Sequence, residues 1–266
     1  MNQTYLQALT GQLKSINSNT AITVQFENNT DISINLVWLD YNGLQRTYET
    51  IAPHSTGTIS TYVTHPWMFT AKATGGFIGA VVIAAGQTSV SIDYSQLVEP
   101  NDIGPPPAKT ATMLIPPDGP RVVIEAALTE TGAVLLREQY WRMASSSYSL
   151  AVGESKVIQY VTRTGVEQTS STQQTIAAEV GASATGGWGP ISASITSTLS
   201  TTSTTSRSFT VTEERTVDVV IELDNTTQSD ITVFQWQLID EVTIAKSDVA
   251  VASLAVAQAP EVHQTV

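Results

Sequence analysis

Residues 28–69 read NNTDISINLVWLDYNGLQRTYETIAPHSTGTISTYVTHPWMF, and this stretch decides the fold class. Short runs rich in Val, Ile, Thr and aromatic residues alternate in it with turn residues such as Asp, Asn, Gly and Pro. This pattern predicts short β-strands joined by tight turns. Over residues 21–99 we expect a small β-sandwich of six or seven strands. The predicted strands include residues 22–26, 32–39, 47–51, 57–62, 67–72 and 77–83.

The sandwich is flanked by a predicted helical arm and a predicted linker. Leu6, Leu9, Leu13 and Ile16 recur near the helical period, which predicts an arm over residues 1–20 that packs against the sandwich. Residues 100–110 contain three consecutive prolines, which lack amide donors and favour polyproline geometry. We therefore place a domain boundary at residues 100–110.

Residues 111–266 return to long β runs, which predict an elongated antiparallel β domain and an all-β chain. The runs are residues 112–115, 121–128, 148–161, 216–223, 231–239 and 249–256.

Inside this second part, residues 175–199 read TIAAEVGASATGGWGPISASITSTL. Glu179 is the only charged residue between Gln168 and Arg207. Apolar and small polar residues alternate in two arms that flank a Gly-rich turn, and an arm of about ten residues is long enough to cross a bilayer as a β-strand. We predict an amphipathic membrane hairpin whose lipid-facing or interfacial residues are Ile176, Ala178, Val180, Ala182, Ala184, Trp188, Ile191, Ala193, Ile195 and Leu199.

Such a hairpin is stable in lipid only within a closed barrel, so several chains must contribute to it. In the soluble form we expect the same residues to form strands, and we expect Val180→Asp or Ile195→Asp to leave that form folded. The pattern is also compatible with an ordinary polar antiparallel domain or with a surface stalk or adhesin.

Two Ser/Thr-rich strands around a short amphipathic hairpin resemble the aerolysin-type β-pore-forming toxins, including the epsilon-toxin/Mtx2 group. The resemblance covers residues 148–238. It implies binding to a target membrane, assembly into a homo-oligomer there and, by analogy within the family, insecticidal action.

Residues 28–69 resemble the β domain of the von Hippel–Lindau tumour suppressor family. The shared residues are Val37, Trp38, Leu39, Gly43, Tyr48, Thr50, Pro53, Ile59, Tyr62, His65, Trp67 and Phe69. In that family a tyrosine, a serine, a histidine and a tryptophan bind a hydroxyproline-containing peptide. The resemblance implies a ligand or receptor site at Tyr48, Thr61, His65 and Trp67, where the extra methyl group of Thr61 narrows the pocket.

The alternative for these four positions is that the aromatic residues belong to the sandwich core and that His65 bonds a local loop amide. The helical domain through which that family recruits elongin C has no counterpart in the β-rich residues after Glu99. We therefore do not expect a ubiquitin-ligase adaptor.

Composition excludes several other classes of protein. The chain has 24 acidic and 12 basic residues, a net charge of −12, which argues against a nucleic-acid partner. It has no cysteine, so disulfides and thiolate metal sites are impossible. The three histidines stand outside any recognised catalytic or metal motif, and we expect neither enzymatic activity nor a metal or cofactor.

The sequence thus predicts a β-pore-forming toxin that binds an unknown surface receptor, either protein or glycan. Its first residues lack a signal-peptide pattern, so we expect a soluble protein released by a non-classical route that acts at a target cell membrane. The alternative is a non-lytic binding or surface-interaction protein that uses the von Hippel–Lindau-like module.

Overall fold

The computed structural model describes residue 8 and residues 12–106, 118–166, 170–201 and 209–265. Strands predominate in these ranges, which confirms the all-β class. The strands are β1 (Ala21–Asn28), β2 (Ile34–Leu39), β3 (Gln45–Ile51), β4 (Ser55–Tyr62), β5 (Pro66–Ala71), β6 (Phe77–Val82), β7 (Ser89–Ile92), β8 (Val122–Leu128), β9 (Val134–Leu150), β10 (Ser155–Val166), β11 (Arg215–Asp224), β12 (Ile231–Lys246) and β13 (Val249–Thr265). The helices are α1 (Ser170–Glu179) and α2 (Trp188–Leu199), with short 3-10 turns at Tyr94–Gln96 and Ala184–Gly186.

The predicted N-terminal sandwich is present. A three-stranded sheet in the order β4-β1-β7 packs on the part of a larger sheet formed by β6, β5, β2 and β3. Phe26, Leu36, Trp67 and Phe69 lie fully buried between the two layers. Strands β1 and β4 contribute apolar residues at alternate positions, as expected for a sheet with one buried face, whereas β5 is buried at every position because the larger sheet is covered on both faces there.

The larger sheet runs across the predicted domain boundary. Its ten strands have the order β11-β10-β13-β12-β9-β8-β6-β5-β2-β3, and the N-terminal and C-terminal parts meet where β6 lies parallel to β8. A second layer of core joins Val37 and Met68 of the first part to Trp141 and Trp236 of the second. The two parts therefore share both a sheet and a core. Their division at residues 100–110 stays a prediction, and residues 107–117 lie outside the described residues.

The C-terminal part is elongated because β9, β12 and β13 are 16 or 17 residues long and pair along most of their length. The single strand predicted over residues 148–161 is wrong: β9 ends at Leu150 and β10 begins at Ser155. Between them Gly153 adopts a φ of 73°, which turns the chain back. Strand β10 pairs with β11 over ten residues but with β13 only at Gly165 and Val166, so β10 and β11 form a two-stranded ribbon at the sheet edge.

Two buried asparagines stabilise similar strand ends, one in the N-terminal part and one in the C-terminal part. The side chains of Asn28 and Asn225 each donate to three backbone carbonyls and each accept from the residue two positions on, Thr30 or Thr227. The carbonyl acceptors are Ile32, Ile51 and Ala52 for the first, and Ser229, Leu150 and Ala151 for the second. Each amide thus ties the end of one strand to a neighbouring hairpin. The second clamp fixes the base of the β10–β11 ribbon.

The predicted hairpin over residues 175–199 is wrong for this form of the protein, which has helices α1 and α2 there. The buried residues Ile191, Ile195 and Leu199 are four apart. Residues at this spacing lie on one face of a helix, and they also lie on one face of a strand. Ala193, between Ile191 and Ile195, is exposed. A helix also pairs its own backbone groups without a partner strand.

The other predicted lipid-facing residues are distributed accordingly. Ile176 and Val180 are buried, Ala178 is exposed, and Ala182, Ala184 and Trp188 are half-buried. No helix in the described ranges is long and apolar enough to cross a membrane.

The predicted N-terminal helix is also wrong over residues 12–20, which are not helical. Ser15 instead donates its amide and its hydroxyl to the carbonyl of Leu39 at the end of β2, which holds this segment extended. Leu13 packs partly on the shared core, and Ile16 is 64% exposed. Leu6 and Leu9 lie outside the described residues.

Candidate functional site

Three of the four predicted ligand-site residues meet at the open side of the sandwich. Tyr48 lies on edge strand β3 at a bulge, between the pairs Val37 with Thr47 and Leu36 with Glu49. Its ring is 5.4 Å from that of Trp67 at an angle of 81°.

The indole nitrogen of Trp67 donates to the hydroxyl of Thr61 on β4 over 3.2 Å. Trp67 and Thr61 are buried, whereas Tyr48 is 62% exposed. A bulge often redirects a side chain in this way. Tyr48 is therefore the member of the trio that a ligand reaches first.

The fourth residue, His65, is enclosed by three other aromatic rings. Trp38 stacks on it at a centroid distance of 5.5 Å, and Tyr62 and Tyr41 lie 5.3 and 5.6 Å away. The hydroxyl of Tyr41 is 3.3 Å from Nε2 of His65. Burial lowers the pKa of His65, which favours the neutral imidazole.

The trio around Trp67 lies next to the rings around His65, because Trp38 and Trp67 are directly opposite each other in the β2–β5 ladder. Together they form an aromatic cluster, which we define as Trp38, Tyr41, Tyr48, Thr61, Tyr62, His65 and Trp67. Sequence reasoning missed Tyr41 and Tyr62 as site residues, and it used Trp38 only as part of the resemblance. The sequence signal that could have identified them is their proximity in the chain: Tyr41 is three residues after Trp38, and Tyr62 is three residues before His65.

The cluster has flat aromatic walls and several hydroxyl groups. Tyr41, Tyr48 and Tyr62 are each at least 42% exposed. Such a surface suits a ligand that offers apolar faces together with hydroxyl groups. Within the described ranges there is no group of three or more residues suited to binding a metal ion.

Helices α1 and α2 form a second candidate region. They pack on the sheet through Ile176, Val180, Ile191, Ile195 and Leu199. The sheet residues beneath them are Ala127, Leu135, Val242, Leu254 and Val256. Val180 and Ile195 are 7% and 0% exposed, so an aspartate at either position would destabilise this fold. The expectation that these substitutions leave the fold intact is therefore wrong.

Hydroxyl groups of α2 hold residues 209–211 against the helix. Ser192 donates to the carbonyl of Phe209, and it accepts from the amide of Val211 at 3.2 Å. The amide of Phe209 donates to the hydroxyl of Thr196 at 3.1 Å. These side chains satisfy backbone groups that a neighbouring strand would otherwise pair.

Comparisons with known proteins bear on the N-terminal part. The sequence model of the VHL beta domain family matches residues 13–78, which confirms the predicted resemblance and extends it upstream of residue 21. No curated protein matches the chain. A solved structure titled "Crystal structure of Cry35Ab1" is similar over 94% of this chain and 90% of that chain, with 11% identity and a TM-score of 0.41.

Proposed function

We propose that this protein is a β-pore-forming toxin. It binds a protein or glycan receptor on a target cell through the aromatic cluster, oligomerises on the membrane and inserts residues 175–199 as an amphipathic β-hairpin. The single observation that carries the proposal is the register of the β10–β11 ribbon, whose two strands flank the inserted segment.

The paired strands β10 and β11 lead, at the end with Thr164 and Arg215, into the segment that contains the two helices. The pairs run from Ser155 opposite Asp224 to Thr164 opposite Arg215. Extending the same register one pair at a time brings Val180 opposite Leu199 and places the turn at Gly189-Pro190. Gly and Pro are typical turn residues, and here they lie inside the sequence GGWGP.

The same register brings the apolar residues of both arms onto one face. Directly opposed residues of an antiparallel ladder point to the same side. The pairs on the apolar side include Val180 with Leu199, Ala184 with Ile195, and Trp188 with Ile191. The opposite side carries Glu179, Ser183, Thr185, Ser194, Thr196 and Thr198. A slip of one residue would place the two apolar sets on different faces, so this agreement supports a membrane hairpin.

The soluble form departs from that ladder at Gly165. Its φ of 95° bends the chain, and the next amide, of Val166, donates to the carbonyl of Thr212. A β-carbon at position 165 would lie 2.3 Å from the carbonyl oxygen of Glu213, so only glycine fits the bend. Insertion in the proposed register requires this bend to straighten, which glycine permits at little energetic cost.

A second candidate function is that of a non-lytic binding protein. The family match covers the N-terminal module only, and the exposed tyrosines of the aromatic cluster lie within it. In that case α1 and α2 would stay on the sheet when the receptor is bound.

The test uses single cysteines, since the chain has none of its own. Ala178, Ala193, Ser183 and Ser200 are all exposed in the soluble form, but the proposed hairpin turns the two alanines to lipid and the two serines to water. Each cysteine variant, labelled with an environment-sensitive fluorophore, is mixed with dye-loaded liposomes and with cells. SDS-resistant oligomers are measured on the same samples.

We expect dye release, oligomers and a blue shift at positions 178 and 193 but not at 183 and 200. Equal shifts at all four positions would refute the register. Cell binding without release or oligomers, also after mild proteolysis, would favour the non-lytic binding protein.

A further inference from the structure

Glu179 has an unusual position for the only charge of its segment. It is the last residue of α1, where a negative charge meets the negative end of the helix dipole. The ammonium group of Lys246 compensates it at 2.9 Å. The hydroxyl of Thr131, in the turn between β8 and β9, also lies 3.4 Å from the carbonyl oxygen of Glu179.

Lys246 is held in place by a tight turn. It ends β12, and the two turn residues Ser247 and Asp248 have φ values of 49° and 63° before β13 begins. Two consecutive positive φ values are typical of a two-residue hairpin turn, and the flanking residues Lys246 and Val249 are paired in the β12–β13 ladder.

The same turn contacts the N-terminal module. The carboxylate of Asp248 accepts from the ammonium group of Lys72 over 3.2 Å, and Lys72 directly follows β5. Strand β5 also carries Trp67 of the aromatic cluster. One short turn therefore contacts both the proposed receptor-binding module and α1, the helix that must unfold before the proposed hairpin can form.

We propose that residues 246–248 are a clasp that holds α1 on the sheet and releases it when the pore forms. This inference rests on the proposed function, since it names the control of the same segment. The Lys246–Glu179 pair stabilises the soluble conformation, and the Lys72–Asp248 pair lets a change in the N-terminal module reach the clasp.

The clasp is suited to release. Both ion pairs are partly exposed to solvent, and such pairs are individually weak. In the proposed hairpin Glu179 is opposite Ser200, on the water-facing side. Its charge is therefore tolerated after release as well.

The first test uses the full-length soluble protein without a membrane. We expect Lys246→Ala to raise the hydrogen-exchange rates of α1 amides by roughly three- to tenfold, because it leaves Glu179 uncompensated at the negative end of the helix dipole. Glu179→Gln removes that unfavourable charge together with the ion pair, so its exchange rates should stay within about twofold of wild type. Lys246→Arg keeps the charge and is expected to behave like wild type. Lys14→Ala, which removes an exposed lysine far along the chain from the clasp, is the matched control. The double charge exchange Glu179→Lys with Lys246→Glu is expected to restore slow exchange.

The second test measures dye release by the same variants at equal amounts of bound protein. We expect a similar acceleration for Lys246→Ala, release near the wild-type rate for Glu179→Gln, and about a twofold acceleration for Lys72→Ala, which frees the turn while leaving the Lys246–Glu179 pair intact.

The two measurements separate the two ideas. Unchanged exchange in Lys246→Ala overturns the clasp, whatever the release assay shows. Faster exchange with no release by any variant supports the clasp as a contact that holds α1, and counts against the pore. Faster exchange with release at the wild-type rate overturns the role of the clasp in controlling insertion.

Discussion

Ala193→Arg separates the soluble fold from the inserted state. In the soluble protein Ala193 is exposed on α2, and arginine is a good helix former, so the free energy of unfolding should change by less than about 0.5 kcal/mol. In the proposed hairpin the same position faces lipid, in the third residue pair from the turn. An arginine facing lipid costs about 2–4 kcal/mol at the midplane of a membrane barrel and less towards the interfaces.

Because every protomer of the pore carries the substitution, the penalty is repeated around the ring. Even a single penalty of about 2 kcal/mol corresponds to roughly 30-fold. We therefore expect urea unfolding and cell binding at wild-type values, with dye release at least 30-fold lower. Ile195→Asp is unsuitable for this purpose, since it also disrupts the buried contacts of the soluble form.

Ser183→Arg is the matched control. Ser183 is also exposed in the soluble form, and the register puts it opposite Thr196, three pairs further from the turn than Ala193 and so closer to the middle of the hairpin, but on the face that lines water. We expect it to retain release. Wild-type release by Ala193→Arg, or equal loss in both variants, would refute the assignment of faces.

Three further predictions concern binding and stability. Tyr48→Ala should weaken cell binding while changing the free energy of unfolding by less than about 1 kcal/mol, since Tyr48 is mostly exposed. Trp67→Ala should lower the free energy of unfolding by about 3–5 kcal/mol in urea, since Trp67 is buried, and equal losses of stability in the two variants would contradict this contrast. Asn225→Ala should lower the free energy of unfolding by about 2–4 kcal/mol, and Asn28→Ala by a similar amount, because each leaves three backbone carbonyls without their donor; a loss below about 1 kcal/mol would show that the clamp contributes little. Burial raises the pKa of Glu138 above the ordinary 4.5, so the stability of the wild type falls as the pH rises from about 4.5 to the raised pKa, and this penalty is absent below 4.5. Glu138→Gln should therefore gain stability relative to wild type as the pH rises above about 4.5 in urea unfolding, and a constant difference would contradict the shift.

The N-terminal module could be predicted from sequence because its strands are short, rich in β-branched and aromatic residues, and separated by turns that carry strong signals. Asp40 illustrates this: its carboxylate accepts from the amides of Asn42 and Leu44, and Gly43 has a φ of 77°. Such contacts are local, so the sequence shows them directly.

Contacts between distant parts of the chain could not be predicted in the same way. The break after Leu150 is held by Asn225, which is 75 residues away in sequence. Tyr41 was missed because its contact with His65 depends on how two strands pair. The quartet at Tyr48, Thr61, His65 and Trp67 was identified through a family resemblance, and periodicity alone gives no sign of it.

The error at residues 175–199 has a different physical origin. Residues four apart share a helical face and also share a strand face, so Ile191, Ile195 and Leu199 are consistent with both structures. What separates the structures is Ala193, which a strand would place with these three and which the helix exposes. Alanine is tolerated both in water and in a packed core, so an alanine at this position does not distinguish a helical pattern from a strand pattern.

This ambiguity is what a segment with two structures requires. A leucine at position 193 would strengthen the lipid face but would expose a large apolar side chain in the soluble form, with a risk of aggregation. A lysine at Ser192 or Thr196 would suit a water-filled lumen, but it could not accept from the amides of Val211 and Phe209 as the hydroxyl groups do. Serine and threonine meet both demands, since they bond backbone groups in the packed helix and water in a lumen. The scarcity of charge and of large apolar residues in this segment is therefore what the proposed change of conformation would require, because such a sequence is compatible with both a packed helix and a membrane hairpin.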